Sequence, residues 1–136
     1  MIEITDQPID VQKVIKAASR NEAGGVNTFI GTVRNRTSAR EVLRLEYEAY
    51  EPMAVSEIRK IIDKAKDTWS LLGWAVSHRV GVLLPGEIAV VVSVSTAHRK
   101  ESFEACQFII DHLKETVPIW KREFFEDGGH WVSAHP

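Results

Sequence analysis

Two hydrophobic rhythms run along the chain. Phe103, Cys106, Ile109, Ile110 and Leu113 recur at steps of three, three, one and three. That spacing lays an apolar stripe on a helix of 3.6-residue period. Pro118 ends the helix at or before Val117, because proline lacks an amide donor and restricts the residue before it. Upstream, Ile88-Ala89-Val90-Val91-Val92-Ser93-Val94 is nearly unbroken apolar, mostly β-branched sequence. It predicts a strand over 87–96, buried on both faces in mid-sheet.

The other elements follow the same two rules. Ile2-Glu3-Ile4 alternates as a short strand. Residues 10–19 predict a helix with Val11, Val14, Ile15 and Ala18 inward and Asp10 as N-cap. Gly24-Gly25 stops it and releases a strand from Val26 to Asn35, with Asn27, Phe29, Gly31 and Val33 on one face. Residues 35–41 have no apolar period and predict a mobile basic loop. Val42 to Tyr50 resumes as a strand with Leu43, Leu45, Tyr47 and Ala49 inward, so that the two strands and their loop form a β-hairpin-like arm. Pro52 suits the start of a helix running to about Thr68, burying Met53, Ile58, Ile61, Ile62 and Ala65. A strand over 74–83 leads to a Pro85-Gly86 turn. After the long helix, Ile119–Phe125 reads as a strand, Asp127-Gly128-Gly129 as a tight turn and His130-Trp131-Val132 as a last short strand. The whole predicts one domain over 1–136, α+β in class, with three helices on a largely antiparallel sheet.

Composition narrows the partners. A formal net charge of −2 argues against a general nucleic-acid binder. No apolar run is long enough for a membrane span, and the first residues lack a basic region followed by an apolar core, so the expectation is a cytoplasmic protein. The single cysteine, Cys106, allows no intrachain disulfide and falls on the helical stripe as a small core residue. Charge is uneven: Arg34, Arg36, Arg40 and Arg44 crowd residues 34–44 against Glu41 alone.

The long helix also carries the candidate chemistry. His98 and Arg99 stand at its entrance, Lys114 in its last turns and Lys121 just past its exit. A helix start preceded by His and Arg attracts anions. A lysine partly enclosed by apolar groups has its ammonium form disfavoured, which opens acid–base or nucleophilic work near neutral pH. The plainer reading is that Lys114 and Lys121 are solvated surface lysines, as most lysines are. His78-Arg79 repeats the His-Arg pair, but no further ligands stand at metal spacing, and neither HExxH nor CxxC occurs. No metal or cofactor is expected. There is no GxSxG elbow and no Gly-rich phosphate loop. The cations Arg34, Arg99, Lys114 and Lys121, with Phe29 and Trp120, are suited to a flat, phosphorylated small molecule.

Six ordered segments carry a resemblance: Phe29-Ile30-Gly31-Thr32-Val33-Arg34-Asn35; Leu45-Glu46-Tyr47-Glu48-Ala49-Tyr50-Glu51-Pro52-Met53-Ala54; His78-Arg79-Val80-Gly81; Gly86-Glu87; His98-Arg99; and Leu113-Lys114 with Pro118-Ile119-Trp120-Lys121-Arg122-Glu123. Together they resemble the large, catalytic (MoaE-type) subunits of molybdopterin synthases over nearly the whole chain. The resemblance implies an α/β hammerhead fold and a homodimer of large subunits. It implies sulfur transfer to cyclic pyranopterin monophosphate from the C-terminal Gly-Gly thiocarboxylate of a small ubiquitin-like subunit, in a heterotetramer. It places catalysis on Lys114 and Lys121, and substrate binding on Arg34, His98, Arg99 and Phe29. The 35–41 loop departs from the family by lacking its usual glycine and carrying Arg36 and Arg40. Some members extend beyond the equivalent of Pro136; any contact made there is missing here or replaced by His130 or His135, whose plainer reading is exposed terminal histidines. The carrier tail is expected to lie along a strand edge, with 119–133 the best guess. The rival is a non-catalytic anion-binding or assembly subunit. It would need the cations but not enclosed lysines, so the burial of Lys114 and Lys121 and their nearness to Arg34 and Arg99 separate the two.

Overall fold

The computed structural model describes residues 1–136. In chain order the elements are β1 (Ile2–Thr5), α1 (Val11–Ala18), β2 (Gly25–Thr32), β3 (Arg36–Thr37), β4 (Arg40–Ala49), α2 (Glu51–Thr68), β5 (Gly73–Arg79), β6 (Gly81–Leu83), β7 (Ile88–Thr96), α3 (Arg99–Thr116), β8 (Ile119–Phe125) and β9 (His130–Ser133). The class is α+β, as expected. Four strands form one sheet in the order β1-β5-β7-β2, and only the β1–β5 pair is parallel. The second sheet runs β3-β4-β8-β9, with β6 also paired to β4.

Strand β7 is the hinge of the packing. Its side chains turn alternately to two helical layers, and residues 89–96 are all buried. Val90, Val92 and Val94 join a core of 22 buried residues with Ile58 and Ile62 of α2 and Ile109 and Leu113 of α3. Val91 faces the other way and packs with Ala75, Val14 and Ala18 under α1. Gly73 is required here, because an added Cβ would overlap the Ala18 carbonyl. Asp10 caps α1 by accepting from the Lys13 amide at 3.2 Å.

Several expectations need correction. Leu43 is exposed, because a bulge between Val42 and Arg44 shifts the register and puts Val42 inward instead. Met53 and Phe103 are 50% and 60% exposed; each sits at the margin of its helical stripe, past the edge of the core. The expected strand over 74–83 breaks at Val80. Gly81, at φ +94, turns the chain out of the first sheet, and β6 joins β4 in the second. Strand β2 pairs with β7 rather than with β4. The hairpin of the arm is β3–β4, with Arg36 opposite Glu41 and Thr37 opposite Arg40.

Residues 35–41 therefore form a tight turn, not a loose loop. Ser38 and Ala39 occupy the left-handed region at φ 50 and 67, as a two-residue hairpin turn demands. Arg40 anchors the turn: its Nε and Nη2 donate to Asp127 at 2.9 and 2.7 Å, and its guanidinium lies 3.8 Å over the Phe125 ring. That arginine holds the Asp127 carboxyl down at about 2.

Candidate active site

Lys114 stands in the last turn of α3, and Pro118 ends the helix so that β8 returns alongside β4. The return brings Lys121 opposite Tyr47. Lys114 is exposed as a residue, yet its ammonium is disfavoured. Desolvation by the protein around it lowers its pKa first, then the charge of Lys121, then that of Arg34. The charges of Lys121 and of Arg34, which follows β2, thus both bear on Lys114 at one end of the molecule. The helix C-terminus offsets part of their repulsion through its negative dipole end.

Lys121 is the more enclosed lysine, with 23% of its side chain exposed, and its Nζ lies 3.6 Å from Glu123 Oε1. Tyr47, Lys121 and Glu123 lie on the inner face of the second sheet. Glu123 is buried, and its Oε2 has no hydrogen-bond partner. Burial and the Glu123 charge together push the Tyr47 phenol up to about 12. Arg34 follows β2 and, with Arg36, lines an open concavity of about 550 Å³ beside Pro85 and Gly86.

The other expected residues lie elsewhere in the chain. His98 is the N-cap of α3 and Arg99 its first residue. Fifteen residues of helix separate Arg99 from Lys114, about 22 Å at 1.5 Å per residue. Two hydroxyls hold this corner: Thr96 donates to the His98 carbonyl at 2.5 Å and Ser102 to the Arg99 carbonyl at 2.6 Å. Phe29 is midway along β2, 37% exposed and leaning over Gly31. It belongs to neither cation group.

Sequence reasoning missed what lies under the lysines. His78 is 1% exposed and packs edge-on against Tyr47 with ring centroids 5.1 Å apart. Burial first, and the charge of Lys114 less, push its pKa down to about 4. The signal was a lone histidine in an otherwise apolar strand, Trp74-Ala75-Val76-Ser77-His78. A second concavity, about 330 Å³, lies against the second sheet and is lined by Lys121 and Tyr47 together with Glu46, Trp120, Arg122 and Val132.

Comparison with known proteins accords with this geometry. The family model described as "MoaE protein" matches residues 4–116. The molybdopterin synthase catalytic subunit of Bacillus subtilis is 48% identical over 130 residues, covering 96% of this chain and 83% of the relative. That of Thermoplasma volcanium is 47% identical and covers 96% of each chain. The crystal structure of molybdopterin synthase from Staphylococcus aureus superposes with a TM-score of 0.91 at 37% identity, covering 98% of this chain and 96% of the other. On that match over nearly its full length, in sequence and in fold, the chain belongs to the MoaE family.

Proposed function

We propose that this chain is the catalytic subunit of a molybdopterin synthase. It moves sulfur from the C-terminal thiocarboxylate of a small ubiquitin-like subunit to cyclic pyranopterin monophosphate. The observation that carries the reading is the meeting of Lys114, Lys121 and Arg34, with the ammonium of Lys114 disfavoured by its surroundings. A module that only binds anions gains nothing from desolvating a lysine. An enzyme that must alternate between stabilising negative charge and moving a proton does.

In the proposed reaction the thiocarboxylate sulfur forms a bond to a carbon of the pterin side chain as the C–O bond at that carbon breaks and its oxygen leaves, as water or with the phosphate. Water then adds to the acyl carbon, and the acyl–sulfur bond breaks, leaving a carboxylate on the carrier. A second carrier repeats the exchange at the neighbouring carbon. The tetrahedral centre is anionic, and Lys114 neutralises it. Lys121 exchanges the proton on the pterin side chain, while Arg34 holds the phosphate as guanidinium groups do.

His98 and Arg99 enter through a second copy of the chain. Strand β2 is the free edge of the first sheet and exposes Val26, Phe29 and Ile30. An unpaired apolar edge favours pairing with another strand. A two-fold pairing of β2 with its copy runs antiparallel. Gly25, beside Arg99, then approaches the Thr32 end of the partner, where Arg34 begins. The His98–Arg99 corner of one protomer so completes the lysine site of the other, with Phe29 at the seam. The carrier subunit docks on the opposite side, at the β9 edge and the apolar outer face with Val82, Trp120 and Val132.

The experiment is incubation with thiocarboxylated small subunit and cyclic pyranopterin monophosphate, scoring the dithiolene product. Product that forms with the wild-type chain and is lost in Lys114→Ala supports the assignment. A Lys114→Ala protein working near the wild-type rate overturns the role of Lys114.

A further inference from the structure

Arg79 and Glu87 have no part in the reaction above, yet they meet directly behind Arg34. Arg79 ends β5 with 14% of its side chain exposed, and its Nη1 donates to Glu87 Oε2 at 3.1 Å. The other carboxylate oxygen, Oε1, accepts from the Leu84 amide at 2.7 Å. That amide first, and Arg79 second, hold the Glu87 carboxyl below the usual carboxylate range. One side chain thus closes the 84–87 turn on itself and ties it to the first sheet. The tie is costly to lose, because an enclosed guanidinium would be left without its counter-ion.

The turn in its own right holds the chain that leads to Arg34. The Val33 amide donates to the Glu87 carbonyl at 2.9 Å, and the Val33 carbonyl accepts from the Gly86 amide at 2.8 Å. Gly86 reaches Val33 from φ +88, a left-handed conformation that suits glycine. The Val33 side chain is buried in the main core. The residue before Arg34 is therefore fixed at its amide, its carbonyl and its side chain, although β2 has already ended at Thr32. Arg34, Pro85 and Gly86 then line the same concavity of about 550 Å³. Arg34 enters none of the ion pairs of the chain. With no carboxylate to aim it, a long side chain takes its direction from its backbone.

We infer that Arg79 and Glu87 are positioning residues for Arg34: their ion pair stiffens the 84–87 turn, and the two hydrogen bonds from that turn to Val33 set where the Arg34 guanidinium stands. The inference rests on the proposed phosphate contact of Arg34. Glu87→Gln removes the charge and still offers the Leu84 amide an acceptor. Its KM for cyclic pyranopterin monophosphate is expected to rise about fivefold with kcat little changed. In an Arg34→Ala background the same substitution should move KM by less than about twofold, because the group it positions is gone. Equal rises in both backgrounds, or no rise in either, overturn the inference. Amide hydrogen exchange of the unliganded chain reads the brace without turnover. Exchange at Val33 and Gly86 should quicken about fivefold in Glu87→Gln while the β7 amides stay as in wild type. An unchanged Val33 rate overturns the inference. Absence of product from the wild-type chain would count against sulfur transfer itself, and the exchange rates would still decide the brace.

Discussion

The two ends of α3 carry cations in different ways. At the C-terminal end partial desolvation and the charges of Lys121 and Arg34 lower the proton affinity of Lys114, although the residue remains exposed. At the N-terminal end His98 and Arg99 are exposed, and hydroxyls fix their backbone while leaving their side chains free. In the proposed reaction the first arrangement tunes chemistry and the second presents charge to a ligand at a helix start, where the dipole already favours an anion. One chain holds the two about 22 Å apart. On the proposed assignment the fold separates reacting from binding, and a second copy is the means of rejoining them.

The sharpest way to break this comparison is to damage each end separately. Lys114→Ala is expected to slow single-turnover sulfur transfer by about a hundredfold or more. Its thermal midpoint should stay within a few degrees of wild type, because the residue is exposed. Co-expression of Lys114→Ala with Arg99→Ala chains then tests the joining. If each site takes its lysine from one protomer and its arginine from the other, a mixed dimer keeps one intact site, and about a quarter of wild-type activity returns. Measured well below KM, sites built within one chain would show no more than the residual activity of the Arg99→Ala chains alone.

The next effect is on stability. His78 has a folded pKa of about 4 against an ordinary 6.5. As pH falls the unfolded chain takes the proton first, so stability should decline from about pH 6.5 and level off below about pH 4. The full loss is roughly 3 kcal/mol. Urea unfolding at pH 7 and pH 4 measures it, and His78→Gln should flatten that dependence.

Arg99→Ala alone tests the binding end. It should raise KM about tenfold with a smaller change in kcat, and the defect should shrink as salt weakens the wild-type attraction. Steady-state kinetics at two ionic strengths distinguish this from a catalytic loss. The smallest effect concerns the arm. Ala39 sits at φ 67, where a glycine has no Cβ to clash. Ala39→Gly should stabilise the fold by up to about 1 kcal/mol, read as a higher urea midpoint, and a lower midpoint would remove the strain argument.

Much of the fold was legible because local rules act alone there. The β-branched run of β7 and the stripe of α3 needed no knowledge of distant residues. Leu43 and Val80 were misread for the opposite reason. A bulge opposite Phe124 and Phe125, and a glycine that sends β6 to a different sheet, depend on strands far away in sequence. Phe103 followed the helical period, but periodicity does not say how far the core reaches around a helix.

For the candidate site the division is similar. Sequence alone determined the residue types, the helix that spaces them, the proline that turns the chain back, and the family likeness that pointed to Lys114 and Lys121. Only the tertiary structure decided that Arg34 joins the two lysines and that His78, Tyr47 and Glu123 lie in the same neighbourhood. Desolvation and charge coupling arise from atoms brought close by folding, and separation along the chain carries no measure of either.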